Sequence, residues 1–293
     1  MSNLAKRLVV AGIGIPVVVS VLYLGGLPLS LLVAGVAVLG SLEYCSLARA
    51  GGVSPFKWLV GIMVAALVLL AAWRPMFSEF GAPMLAFLGL GGGVVMAFAL
   101  ARRSPEEKPL SVIAISLFGV LYVGLPLAVV LLLHELPNSR GWSGGITIPS
   151  SGLLVVALPL ATTWLGDAMA LFTGTAWGKG GLVPEISPNK SWAGVWGGIG
   201  GAMLAAIVWY YATVPWLPEL PVQSPIVAGF IGVLIGIVGI GGDLLESLFK
   251  REAGVKDSGG ILPGHGGILD RLDSLLFTLP TAYVLLLILD ATP

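Results

Sequence analysis

Residues 242–273 read GDLLESLFKREAGVKDSGGILPGHGGILDRLD, and apolar runs at about 225–249 and 268–289 frame them. The chain has 15 acidic and 15 basic residues, and ten of these fall inside this stretch: Asp243, Glu246, Lys250, Arg251, Glu252, Lys256, Asp257, Asp270, Arg271 and Asp273. Glycine pairs, Pro263 and His265 interrupt it. Charge this dense between segments this apolar implies ionic chemistry at a membrane surface.

The remainder of the chain agrees. It is 57% hydrophobic and 10% charged, with a mean hydropathy of +0.99, whereas a soluble domain carries about 25% charge. Apolar runs of bilayer-spanning length recur at about 8–24, 28–48, 58–73, 83–101, 110–133, 152–176, 192–214, 225–249 and 268–289, the third being the shortest. Turn signals separate them, among them Gly51–Gly52, Ser104–Pro105 and the segment from Pro137 to Ser150. The pattern predicts an all-α polytopic membrane protein of about nine transmembrane helices. Lys6 and Arg7 precede the first run, which is long for a signal peptide and lacks a small-residue cleavage site, so a retained helix is expected. Net charge is zero, which leaves no basic face for nucleic acid. Cys45 is the sole cysteine, excluding an internal disulfide or a cysteine-built metal site.

With nine spans, 13 of the 15 basic residues share the side of the N-terminus and of the loops after spans two, four, six and eight; only Arg74 and Arg140 lie opposite. By the positive-inside rule that side is cytoplasmic. The steps Gly194/Gly198, Gly197/Gly201 and Gly232/Gly236 allow close helix approach. They are read as packing within one bundle, with a homodimer contact as the alternative.

Asp243, Glu246, Ser247 and Lys250 recur at i, i+3, i+4 and i+7, on one face of the eighth helix. Asp270 and Asp273 stand at i, i+3 in the ninth, with Arg271 between them. Carboxylates in membrane helices cost about 2.5–3.5 kcal/mol each, so they mark function or are neutralised by basic neighbours. Acids from separate helices suit Mg²⁺, which takes one or two carboxylates together with waters and phosphates. Lys250, Arg251 and Lys256 can neutralise phosphate, and Gly266 and Gly267 are among the glycines whose backbone N–H groups can approach it. His265 is a general acid or phosphate donor, or else an exposed turn histidine.

A second cluster follows the sixth span. Asp167 is expected to be buried there, ahead of Lys179, Ser187 and Lys190 on the same membrane side, as the wall of a nucleotide pocket. Glu43, near the cytoplasmic end of the second span, is read as interfacial, with a place in the pocket as the alternative.

These residues resemble the signature of the phosphatidate cytidylyltransferases, or CDP-diacylglycerol synthases. The matching positions are Ser247, Phe249, Lys250, Arg251, Lys256, Asp257, Gly259, Leu262, Pro263, His265, Gly266, Gly267, Ile268, Asp270, Arg271 and Asp273. Asp167, Ala170, Gly174, Gly178 and Lys179, and then Ser187, Pro188, Lys190, Ser191 and Gly194, are similar to two further family elements. Leu171 and Ala193 depart from it, standing where an aromatic residue and a glutamate are usual. The N-terminal half is similar only in hydropathy and in Glu43.

The resemblance implies transfer of the cytidylyl group of CTP to phosphatidate, with membrane lipid around the protein. It implies catalytic roles for Asp243, Asp270, Lys250, Arg271 and His265. Mg²⁺ is expected on Asp243, Asp270 and Asp273, alone or with a second cation. Substrate contacts fall to Asp167, Lys179, Ser187, Lys190, Ser247, Arg251, Lys256, Asp257, Gly266 and Gly267. The expected organisation is one membrane-embedded domain, with residues 1–150 as lipid-facing scaffold and 151–293 as catalytic half. A multi-pass protein of a bacterial-type cell membrane, with a cytoplasmic active site, follows. The alternatives are a CTP-dependent enzyme acting on a prenyl or ether lipid, and a cation transporter.

Overall fold

The computed structural model describes residues 3–143, 151–261 and 266–291. Among them no strand occurs, and Val183 and Ser187 form an isolated antiparallel bridge. The helices are α1 (Asn3–Leu24), α2 (Gly26–Ala50), α3 (Lys57–Trp73), α4 (Phe77–Arg102), α5 (Pro109–Gly119), α6 (Leu125–Arg140), α7 (Ser151–Trp177), α8 (Trp192–Thr213), α9 (Pro225–Glu252), α10 (Leu269–Leu272) and α11 (Leu275–Ala291). A π turn, Val120–Gly124, joins α5 to α6 in one span. Seven helical segments among the described residues are long and apolar enough to cross a membrane, and two shorter ones, Gly12–Leu24 and Lys57–Trp73, are also apolar. Together they match the nine expected spans.

Two boundaries differ from expectation. Helix α6 continues through Pro137 to Arg140, the proline falling in its last turns. The final span is broken: α10 ends at Leu272, and the Asp273 carboxylate takes the Ser274 N–H at 2.6 Å before α11 begins. A side-chain acceptor that competes for backbone N–H groups favours such a break.

The chain forms two compact units. One comprises Met1–Leu132 with Phe249–Leu272, the other Leu133–Leu248 with Asp273–Pro293. In the first, α3 shows how apolar spacing becomes a core: Val60, Val64, Leu67, Val68 and Ala71 are all fully buried. They recur along one helical face. Gly119 lies so close to the Tyr44 ring that a Cβ there would come within 2.7 Å of it. In the second unit, Gly166 meets Gly198, Gly174 meets Gly194, and Gly232 and Gly236 lie against Ala202. All three glycine steps thus have partners inside this unit. Elsewhere large apolar side chains point outward, such as Leu100, Leu110 and Ile226, at 77–89% exposure. That is costly in water and natural in lipid.

Candidate functional site

In the second unit, α7 and α8 are joined by a link whose backbone folds on itself. Ser187 N–H reaches Val183 O at 2.9 Å, and Lys190 N–H reaches Ser187 O at 3.2 Å. Ser191 caps α8, its Oγ accepting the Gly194 N–H at 3.2 Å. An N-cap hydroxyl satisfies one of the donors left free in a helix's first turn. This fold of the link brings Lys190 Nζ to within 2.7 Å of Asp243 Oδ2 on α9. Ser247 Oγ donates to the other oxygen, Oδ1, at 3.4 Å. Asp167, Leu171, Asn189, Lys190, Ser191 and Asp243 help line a cavity of about 260 Å³. Asp167 is therefore not buried as expected: it is exposed toward this cavity, because α7 turns its carboxylate outward. Lys179 is also exposed, in the link just after α7, and Asp273 accepts the Ser274 N–H just ahead of α11. Glu246, one turn beyond Asp243, is fully enclosed.

The first unit holds the other charged centre. Lys250, in the last turns of α9, reaches Asp270 Oδ1 on α10 at 2.8 Å, and the side chains are only 14% and 6% exposed. Asp270 Oδ2 accepts two backbone N–H groups, from Ser258 at 2.9 Å and Gly267 at 2.8 Å. Hydrogen bonds of this kind hold a carboxylate in its charged form and in one orientation. Gly266 has φ +82°, in the left-handed region that glycine adopts without strain, and a Cβ there would come within 2.7 Å of Asp270 Oδ2. Arg251, Lys256, Asp257 and Arg271 surround this core as exposed charges. His265 lies outside the described residues.

The centre contains a residue that sequence reasoning misplaced. Glu43 of α2 is 5% exposed rather than interfacial. Its Oε2 accepts from Ser258 Oγ at 3.0 Å and from the Leu269 N–H at 2.8 Å. The only local signal was an acid near the end of an apolar run, which interfacial and buried acids share.

Among the described residues no group of three or more His, Cys, Asp or Glu side chains is gathered for a metal ion. The carboxylates present nonetheless fit a hard cation of the Mg²⁺ type, because it needs only one or two of them when phosphate oxygens and waters complete its shell. In the structure an ammonium occupies that electrostatic role: Lys190 at Asp243 and Lys250 at Asp270.

Two Lys–Asp pairs, one held by the Ser247 hydroxyl and the other by two backbone N–H groups, are equipped to handle phosphates. Residues 5–289 match the Cytidylyltransferase family. The chain belongs to that family. It is 36% identical to the phosphatidate cytidylyltransferase of Synechocystis sp. over 97% of each chain. Its identity with the Chlamydia pneumoniae protein of that name is 32%, over 98% of this chain and 92% of the relative. With the Bacillus subtilis one it is 44%, over 46% and 48%.

Proposed function

We propose that this cytidylyltransferase-family member transfers the cytidylyl group of CTP to phosphatidate, giving CDP-diacylglycerol and diphosphate. Near full-length similarity to an enzyme of that name carries the reading. It also favours this activity over cation transport or a prenyl-lipid substrate.

The residues suit the chemistry. A phosphate oxygen of phosphatidate attacks the α-phosphorus of CTP, a new P–O bond forms there, and the bond to the β-phosphate oxygen breaks as diphosphate leaves. Such a transfer needs positioning and charge stabilisation, with no protein nucleophile. Lys250, Arg251, Lys256 and Arg271 would hold phosphates, while Asp167, Lys179, Ser187 and Lys190 would line the nucleotide's cavity. Asp243 and Asp273 in one unit and Asp270 in the other are each oxygen donors of the kind that Mg²⁺ takes, and Mg²⁺ bound to them would neutralise phosphate charge. Asp270 is already oriented by its two backbone N–H partners.

For the lipid, a cavity of about 540 Å³ in the first unit is lined mainly by apolar side chains, among them Tyr44, Ala48, Ala114, Phe118, Phe249 and Ala253. Phe249 of this lining and Lys250 are consecutive residues of the same helix, α9. The basic bias of 13 to two supports a multi-pass protein with its charged loops on the cytoplasmic side.

The direct test is purified protein with CTP, phosphatidate and Mg²⁺, following diphosphate release and the lipid product. Absence of CTP-dependent diphosphate release with phosphatidate, or preference for a prenyl phosphate in a substrate panel, would refute the assignment.

A further inference from the structure

Glu43 lies outside every role assigned above, yet it stands at the base of the charged loop. Ser258 opens that loop and Gly267–Leu269 close it, and two carboxylates join these ends. Asp270 Oδ2 takes N–H groups from Ser258 and Gly267, one from each end. Glu43 Oε2 takes the Ser258 hydroxyl and the Leu269 N–H, again one from each end. Ser258 Oγ in turn accepts the Asp270 N–H at 3.3 Å, so the hydroxyl links the two carboxylates. Gly259 and Gly267 both border the Glu43 carboxylate so closely that neither has room for a Cβ. The other oxygen, Oε1, is buried and has no hydrogen-bond partner among the described residues. An acid this enclosed needs a strong reason to be there, and none of its described hydrogen bonds comes from a basic side chain.

We propose that Glu43 is a positioning residue of the reaction: it clasps the two ends of the loop 258–269 and thereby fixes the orientation in which Asp270 and its partner Lys250 meet the phosphates. The inference rests on the cytidylyl-transfer reading for the reaction that it serves. Glu43 acts through Ser258 and the loop backbone, at one remove from substrate. What the clasp requires is an acceptor of the right reach. A glutamine in its place reaches as far and can accept from both donors, whereas an aspartate keeps the charge but is one methylene short.

The test compares Glu43→Gln, Glu43→Asp, Glu43→Ala and Ser258→Ala in purified full-length protein. It measures kcat, KM for CTP and for phosphatidate, thermal midpoint, and the rate of tryptic cleavage after the exposed Lys256. A misplacement of about 1 Å costs roughly 100-fold in rate, so Glu43→Asp and Glu43→Ala should lose kcat on that order with little change in either KM. Glu43→Gln should keep kcat within about threefold, and Glu43→Ala combined with Ser258→Ala should cost no more than the worse single change. Wild-type kcat in Glu43→Ala or Ser258→Ala would overturn the proposal. So would a natively stable Glu43→Gln as inactive as the alanine, since the charge itself would then be what matters. Should Glu43→Ala fail to fold, Ser258→Ala removes only the hydroxyl link and decides alone. Should the wild-type protein fail to use CTP and phosphatidate, the functional reading falls instead. The clasp is then read from trypsin: Glu43→Ala should be cut faster after Lys256 than Glu43→Gln, and equal rates would overturn it.

Discussion

Lys190 Nζ stands 2.7 Å from Asp243 Oδ2. The pair joins the link between α7 and α8 to the face of α9 that carries Ser247, and both residues border one cavity. Its side chains are 22% and 35% exposed, so the pair is half-buried, solvent still screens part of it, and its net contribution to stability is about 1 kcal/mol. Function should feel it far more.

Asp243→Asn and Lys190→Met should therefore be nearly as stable as the wild type in detergent while turnover falls by about 100-fold or more, the scale at which a lost electrostatic contact to the reacting phosphates is felt. Turnover against Mg²⁺ concentration, alongside the thermal midpoint, checks both variants. Near-normal turnover with a lowered midpoint would make the pair purely structural.

Lys250 and Asp270 should behave differently, because their pair is buried. Removing one member of a buried ion pair leaves a charge without its partner and costs about 3–5 kcal/mol. Asp270 keeps two backbone N–H bonds, which favours the lower end of that range. Lys250→Ala should lose thermal stability and turnover together, and restoring only stability, by lipid or ligand, should not restore turnover. A Lys250→Ala protein of native midpoint and native kcat would remove Lys250 from the site.

Much of this was legible in the sequence, and the reason is physical. Span-length apolar runs announce themselves because a bilayer admits little else, and nine of them correspond to nine helical segments. The signature around Asp243, Lys250 and Asp270 also stood out, since charge is rare in such a chain. Periodicity placed Ser247 beside Asp243, one helical turn away. What periodicity could not supply was any partner distant in sequence. Glu43 and Ser258 are 215 residues apart, and nothing local distinguishes an acid that clasps a loop from one that touches headgroups. Asp167 failed for a related reason: a position inside an apolar run does not say which way α7 turns it. The break at Asp273 depends on one side chain taking its neighbour's N–H, a choice that hydropathy does not register.

The glycines near the clasp separate into two kinds. At Gly267 a Cβ would collide with Ser258 Oγ and the Glu43 carboxylate, whereas at Gly241 on α9 nothing lies within 4 Å. Gly267→Ala should abolish turnover by forcing the loop open. Gly241→Ala should leave turnover intact and raise stability by about 0.5–1 kcal/mol, the usual gain for glycine to alanine inside a helix. Thermal midpoints and kcat of the two variants settle this, and equal behaviour would contradict the described fit around Gly267.

Sidedness is open to direct labelling. Lys256 lies in the charged loop and Ala291 at the end of α11, and both are exposed. Cys45 is 2% exposed and can be replaced by alanine to give a cysteine-free background. In oriented vesicles, Lys256→Cys should react with a membrane-impermeant maleimide from the cytoplasmic face and Ala291→Cys from the other. Labelling of both from one face would rule out a single crossing between them and undo the 13-to-two assignment.

The acyl chain provides the last test. The cavity bordered by Ala48, Ala114 and Phe118 measures about 540 Å³, within the roughly 300–1,000 Å³ of small-molecule pockets. Ala114 sits on its wall and is exposed, so a larger side chain can be placed there without disturbing a buried contact. Ala114→Trp would fill part of the space that a long chain needs and leave a short chain unaffected. Each methylene excluded from an apolar pocket is worth about 1–3 kcal/mol of discrimination at most, so the loss should grow with chain length. We expect dioctanoyl phosphatidate to be turned over within about threefold of the wild-type rate and long-chain phosphatidate to fall by at least about tenfold. KM for CTP should not change, since the nucleotide is proposed to lie along Asp167, Lys179, Ser187 and Lys190, none of which lines this cavity. A uniform loss across chain lengths would mean that the cavity holds a structural lipid or nothing, and that the substrate's chains lie elsewhere.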